Sequence, residues 1–229
     1  MDNFDIIISL GVNCYPRIYI NDKKNIKTTE YFFDDIGTPL WAVKELLVNN
    51  FDGYFDTNNY KKIKIFEDSR YDIMVNTKYY IRYDNAYPIS MLQHLFDIFQ
   101  SKKTKFIDLL TSSQKVLFIR YEEPLISDIP KLGGKRIIYD SYKTYYQHNE
   151  LYHLKELSTY LQTTYPNLRA YFMLVGNAMN EPITLNYDLN LKIFTIPNKS
   201  INMQNYKQIF EQIFTDYGQY ITDNVNNIV

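Results

Sequence analysis

A chain of 229 residues, 45% of them hydrophobic, is long enough for one large domain with a substantial core. Its 25 basic and 26 acidic side chains nearly cancel, which excludes the broad positive field that draws proteins to nucleic acid or anionic membrane. A single cysteine and three histidines at wide spacing exclude an internal disulfide and a conventional structural zinc site.

The chain opens acidic, Met1-Asp2-Asn3-Phe4-Asp5, and no apolar run reaches the roughly 18–20 residues that span a bilayer. Neither a signal peptide nor a membrane partner is expected. The expected setting is cytoplasmic.

Ile6-Ile7-Ile8-Ser9-Leu10 is a run of apolar, largely β-branched residues ended by Gly11 and Asn13, the pattern of an interior strand opening into a loop. A helix is expected to begin near Asn13 and run through Tyr15 toward Lys24, with Pro16 in its first turn. Thr38 reads as an N-cap and Pro39 as the first residue of a helix to about Asn49, with Leu40, Val43, Leu46 and Leu47 on one stripe.

Short strands are expected at Ile63–Phe66, Ile73–Val75 and Tyr79–Ile81, forming a small antiparallel insertion over about residues 60–85. Pro88 and Ser90 open a helix with Ile89, Leu92, Phe96 and Phe99 on its stripe. A separate helical run follows over Lys105–Leu110. Val116–Ile119, Ala170–Gly176 and Leu191–Ile196 read as further buried strands, and Arg136–Tyr139 as a minor one. Leu151, Leu154, Leu157 and Leu161 mark a helix before Tyr165-Pro166, and Tyr206 to Tyr217 another. The tail over about 222–229 is expected to fray.

This order predicts one α/β domain over residues 1–229, with a mainly parallel, Rossmann-like sheet flanked by helices. In open sheets of that kind ligands bind at the C-terminal ends of the strands.

Cys14 falls at such an end, near a helix start that favours a thiolate. The plain alternative is a small buried hydrophobe. A nucleophilic thiol needs a base. His94 sits on an amphipathic helix, and His148 and His153 flank the helix that contains Leu151. Asp34 and Asp35 lie in an aromatic cluster that raises a carboxyl pKa unless the group is paired. Asp84 follows a strand-like segment, and Arg120, Glu122 and Glu123 end the Val116 strand. Gly11 stands alone, so neither a dinucleotide fingerprint nor a nucleoside-triphosphatase loop is matched, and no cofactor or metal is expected.

The stretch Ser9-Leu10-Gly11-Val12-Asn13-Cys14, with Phe33-Asp34, Thr38-Pro39, Val116–Arg120 and Tyr165-Pro166, resembles an uncharacterised family described as papain-like cysteine peptidases. Its members occur in bacteria and large DNA viruses, some near glycan-processing genes. The resemblance implies Cys14 as nucleophile and Asp34 as an orienting or catalytic carboxylate. It also implies an α+β fold, whereas the strand and helix order favours a parallel α/β sheet. The chain departs from the family pattern twice. Phe32-Phe33-Asp34-Asp35 stands where Pro-Phe-Asp-Trp is usual, and Tyr83-Asp84 where His-Asp is expected. If the chain belongs to a virus, host cytoplasm or virion is the implied location.

Three readings therefore stand. One is a cysteine-dependent hydrolase or transferase with Cys14, Asp34 and Asp84 as catalytic groups. Ser9, Gly11, Asn13, Phe33 and Arg120 then line a site for a small polar ligand, glycan or peptide. Another is a glycan-modifying protein such as a nucleotide-sugar-dependent glycosyltransferase, with Asp34 or Asp84 as base and Arg120 gripping an anion. The third is a non-catalytic binding protein descended from an enzyme.

Overall fold

The computed structural model describes residues 4–11, 15–22, 30–34, 36–64, 72–83, 89–121, 150–177, 191–196 and 204–225. Four parallel strands form the main sheet: β1 (Ile6–Ser9), β5 (Lys115–Tyr121), β6 (Arg169–Asn177) and β7 (Leu191–Ile196), adjacent in that order. Between β1 and β5 the chain forms α1 (Tyr15–Asp22), α2 (Leu40–Val48) and α3 (Leu92–Leu110). It also forms a three-stranded antiparallel sheet of β2 (Tyr60–Lys64), β3 (Asp72–Asn76) and β4 (Ile81–Tyr83). Helix α4 (Glu150–Thr164) precedes β6, and α5 (Tyr206–Val225) follows β7.

β1 and the middles of β5 and β6 are uninterrupted apolar runs because both faces of those strands are covered. Successive side chains alternate between faces. Ile6, Ile8, Val116, Phe118, Ala170 and Phe172 therefore join one cluster with residues of α2, α3 and α4. Ile7, Leu117, Ile119, Tyr121 and Met173 join another with Tyr19 of α1 and Phe210 and Phe214 of α5. The first cluster continues through Phe32, Phe33, Tyr54, Phe96 and Phe99 to Met74, Ile81 and Tyr83 of the small sheet. One hydrophobic body thus underlies both sheets.

The α/β class, the parallel sheet and the antiparallel insertion agree with expectation. The strand order refines it. The described strands join the main sheet in chain order from β1 outward, with no reversal, so none of the described pairs forms the diverging crevice of a doubly wound sheet. The chain is mixed α/β, with a parallel main sheet and a small antiparallel one.

Several local expectations shift. Tyr79 and Tyr80 lie in a turn, because the Asn76 side-chain oxygen accepts from the backbone amides of Lys78 and Tyr79 and closes the hairpin before Ile81. The two helical runs at Ile89–Phe99 and Lys105–Leu110 are one 19-residue helix, α3, after a short 3-10 turn at Ile89–Met91. Its buried stripe runs Leu92, Leu95, Phe96, Phe99, Lys102, Phe106, Leu109, and the lysine in that stripe hides the continuity. Pro39 is the N-cap of α2, one residue later than expected, and makes no side-chain cap bond.

Helix α2 ends in a Schellman arrangement. Asn50 takes a left-handed conformation (φ 48°), Phe51 N–H donates to the Leu46 carbonyl at 2.7 Å and Asn50 N–H to the Leu47 carbonyl at 3.2 Å. The expected strand at Arg136–Tyr139, Ile65-Phe66, and the tail beyond 225 lie outside the described residues.

Candidate functional site at the C-terminal sheet edge

β1 ends at Ser9, but its ladder continues one step further, with Leu10 N–H donating to the Ile119 carbonyl at 2.8 Å. Gly11 then turns with φ +81°, and its amide donates to Ser9 Oγ at 3.3 Å. A Cβ on Gly11 would stand 2.8 Å from the Ile36 carbonyl oxygen and 3.2 Å from Thr38 Cβ. Only glycine tolerates both the conformation and the approach. The turn after β1 is therefore seated on residues 36–38. That segment is tied in turn to the small sheet, because Gly37 and Arg82 exchange two backbone hydrogen bonds of 2.9 Å.

Arg120, at the end of β5, is fully buried at 0% exposure. Its Nη1 donates to the carbonyls of Leu10 (2.9 Å) and Thr38 (2.7 Å). Nε and Nη2 clasp the Glu150 carboxylate at 2.5 and 3.0 Å. One side chain thus joins the ends of β1 and β5, the approach to α2 and the first residue of α4. This is the fork-to-carboxylate geometry that arginine favours, in a place water does not reach. Its donors face the protein interior.

Asp34 is also buried. Its Oδ2 accepts from the Tyr31 amide at 2.7 Å and from Arg17 Nη1 in the first turn of α1. Arg17 continues outward, with Nη2 3.4 Å from Glu30 Oε1, while Glu30 Oε2 lies 3.2 Å from Nζ of Lys102 on α3. Phe33 packs edge-on to Phe106 at 5.3 Å beside this network.

All five described members of the expected site, Ser9, Gly11, Phe33, Asp34 and Arg120, are buried. Gly11 and Arg120 meet at the C-terminal edge of the sheet through Leu10 and Thr38, whereas Asp34 pairs with Arg17 of α1 and Phe33 packs on Phe106 of α3. Cys14, Asn13 and Asp84 lie outside the described residues, as do Asp35, Glu122, Glu123 and His148. His94 is exposed on α3. His153 is half-buried on α4, with its ring 5.3 Å from that of Tyr152.

Tyr83 is a core residue whose hydroxyl bonds that of Tyr54. Tyr60 donates its hydroxyl to the Tyr54 carbonyl at 2.8 Å. Burial pushes the Tyr60 hydroxyl up to about 12 and those of Tyr54 and Tyr83 well above the ordinary value, so all three stay neutral near pH 7.

Sequence reasoning missed Arg17, Glu30, Lys102 and Glu150. Lys102 did leave a signal, since a lysine between Phe99 and Phe106 on an apolar stripe needs a carboxylate partner, here Glu30 among others. Among the described residues no group of three His, Cys, Asp or Glu side chains could hold a metal, and no helix is long and apolar enough to cross a membrane. Comparisons with protein-family models, curated proteins and solved structures found no significant match to this chain.

Proposed function

We propose that the protein is a cysteine-dependent hydrolase or acyl transferase with Cys14 as nucleophile. The observation that carries this reading is the junction around the thiol. β1 ends at Ser9, Gly11 turns sharply, and α1 starts at Tyr15, the residue after Cys14. Strand–turn–helix junctions present a nucleophile at the sheet edge, and the amides and dipole of the following helix favour its thiolate.

In this reading Asp84 takes the Cys14 thiol proton, the thiolate attacks an acyl carbonyl, a thioester forms as the carbonyl–heteroatom bond breaks, and the amine or alcohol leaves with the proton returned by Asp84. Water or an acceptor nucleophile then cleaves the thioester and the thiol is restored. Asp34, held by Arg17 and the Tyr31 amide, orients the start of α1 relative to the 30–34 segment. The base role falls to Asp84, which follows β4 in sequence. β4 is bridged through Arg82 to Gly37, in the segment seated on Gly11. The resemblance of the Ser9–Cys14 stretch to papain-like cysteine peptidases supports the same assignment.

Labelling with an acyl-directed electrophile, followed by mass spectrometry, tests it. Cys14 should react faster than a free model thiol, and Asp84→Asn should slow it. Labelling at or below the model rate would remove the nucleophile assignment.

A further inference from the structure

Helix α1 begins at the residue after Cys14, yet its own sequence does little to keep it helical. It has eight residues, Tyr15–Asp22, of which two are isoleucine and two tyrosine. Helices that short are marginal without tertiary packing, and β-branched and aromatic residues weaken them further. Whatever the helix start contributes to the thiol therefore depends on the contacts that hold α1 in place.

Those contacts reach the far end of the chain. Tyr19 is buried and stacks on Phe210 and Phe214 of α5, with ring centroids 5.4 and 5.1 Å apart. Its hydroxyl donates to Glu211 Oε2 at 2.8 Å, across 192 residues of sequence. Burial pushes the Tyr19 hydroxyl up, and the Glu211 carboxylate pushes it the same way, so it stays a donor throughout the range in which a thiol titrates. At the end of α1, Asp22 Oδ2 accepts from the Tyr206 hydroxyl at 3.1 Å and pairs with Lys207 Nζ at 2.8 Å. Lys207 and Asp22 are exposed, so that ion pair contributes less.

We infer that Tyr19 is a positioning residue for Cys14, and that through the Tyr19–Glu211 bond the C-terminal helix sets the reactivity of a thiol near the other end of the chain. The inference rests on Cys14 as nucleophile. Hydrophobic packing is non-directional and holds α1 on α5, whereas a hydrogen bond is directional and fixes the tilt and register of one helix on the other. A fixed α1 keeps its first amides and its dipole directed at its start, where Cys14 precedes it in sequence. Without the bond α1 loosens on α5, and the thiolate loses part of that support.

The test is the pH profile of Cys14 alkylation in the full chain, with iodoacetamide as a neutral probe. Tyr19→Phe keeps both ring stacks and deletes only the hydroxyl. Its midpoint should rise by about half a pH unit, which slows alkylation at pH 7 roughly threefold. Glu211→Ala, at an exposed position, should give the same rise. Loss of a negative charge alone would lower the midpoint, so charge cannot mimic the effect. Glu211→Gln keeps an acceptor and should stay at or below the wild-type midpoint. Tyr60→Phe deletes a buried tyrosine hydroxyl bond in the other cluster and should leave the midpoint in place. A low wild-type midpoint with no rise in Tyr19→Phe, or with an equal rise in Tyr60→Phe, would overturn the positioning role alone. A wild-type midpoint at or above about 8.5 would remove the nucleophile reading and the positioning role with it.

Discussion

Arg120 and Arg17 are buried to a similar degree at the same edge of the sheet, yet their surroundings differ. Arg120 meets two backbone carbonyls and a buried carboxylate, and each of its three nitrogens has an acceptor. Arg17 meets one buried carboxylate, one exposed carboxylate at longer range, and leaves Nε without a partner among the described residues. A fully answered buried cation locks elements together. A partly answered one leaves a buried donor unbonded, at a cost in stability. The C-terminal edge therefore contains a fully bonded brace on the β5 side and, on the α1 side, a network in which one buried donor has no partner among the described residues.

The largest expected effect lies in the fully bonded part. Arg120→Ala should destabilise the protein by about 3–5 kcal/mol in urea unfolding, since it strands the buried Glu150 carboxylate. Glu150→Ala should cost a similar amount, and the double variant less than the sum. A loss under about 1 kcal/mol would erase the contrast between the arginines.

The tyrosine cluster extends the contrast to pH. Its members titrate above the ordinary tyrosine value, so their contribution is complete below pH 10 and is lost as pH rises toward the folded value, which for Tyr60 is about 12. Tyr60 alone corresponds to about 3 kcal/mol across that window. Alkaline unfolding should accordingly shift upward in pH for Tyr60→Phe.

Gly11→Ala should cost about 1–3 kcal/mol through its left-handed turn and its contact with the Ile36 carbonyl, as read by thermal unfolding. Glu30→Gln comes last. Its stability should stay within about 0.5 kcal/mol of wild type, because an exposed carboxylate at long range contributes little. A large loss there would make the Arg17 side a second brace.

How much of this was legible in the sequence follows from how local each feature is. Ile6–Ser9, Val116–Ile119 and Ala170–Gly176 announce themselves as apolar runs because both faces of those strands are covered. The stripes of α2 and α4 are local in the same sense. Lys102 broke the α3 stripe because a charge in a core position looks like a surface, and Asn76 moved the hairpin turn by bonding amides two and three residues ahead.

The partners of Arg120 and Asp34 were not legible at all. Glu150 is 30 residues from Arg120, and Arg17 is 17 from Asp34. No periodicity encodes such pairings. The same holds for strand order, which depends on long connections and carries no local signal. The Gly11 turn was legible as a turn, but its seat on Ile36 and Thr38 was not.

Cys14, the proposed nucleophile, falls in sequence between the Gly11 turn and the start of α1, so the pH dependence of its alkylation tests the proposal most directly. A thiolate favoured by the helix start should give a midpoint well below the free-thiol value of about 8.5. A midpoint at or above that value would contradict the account and leave the sheet edge as a binding surface alone.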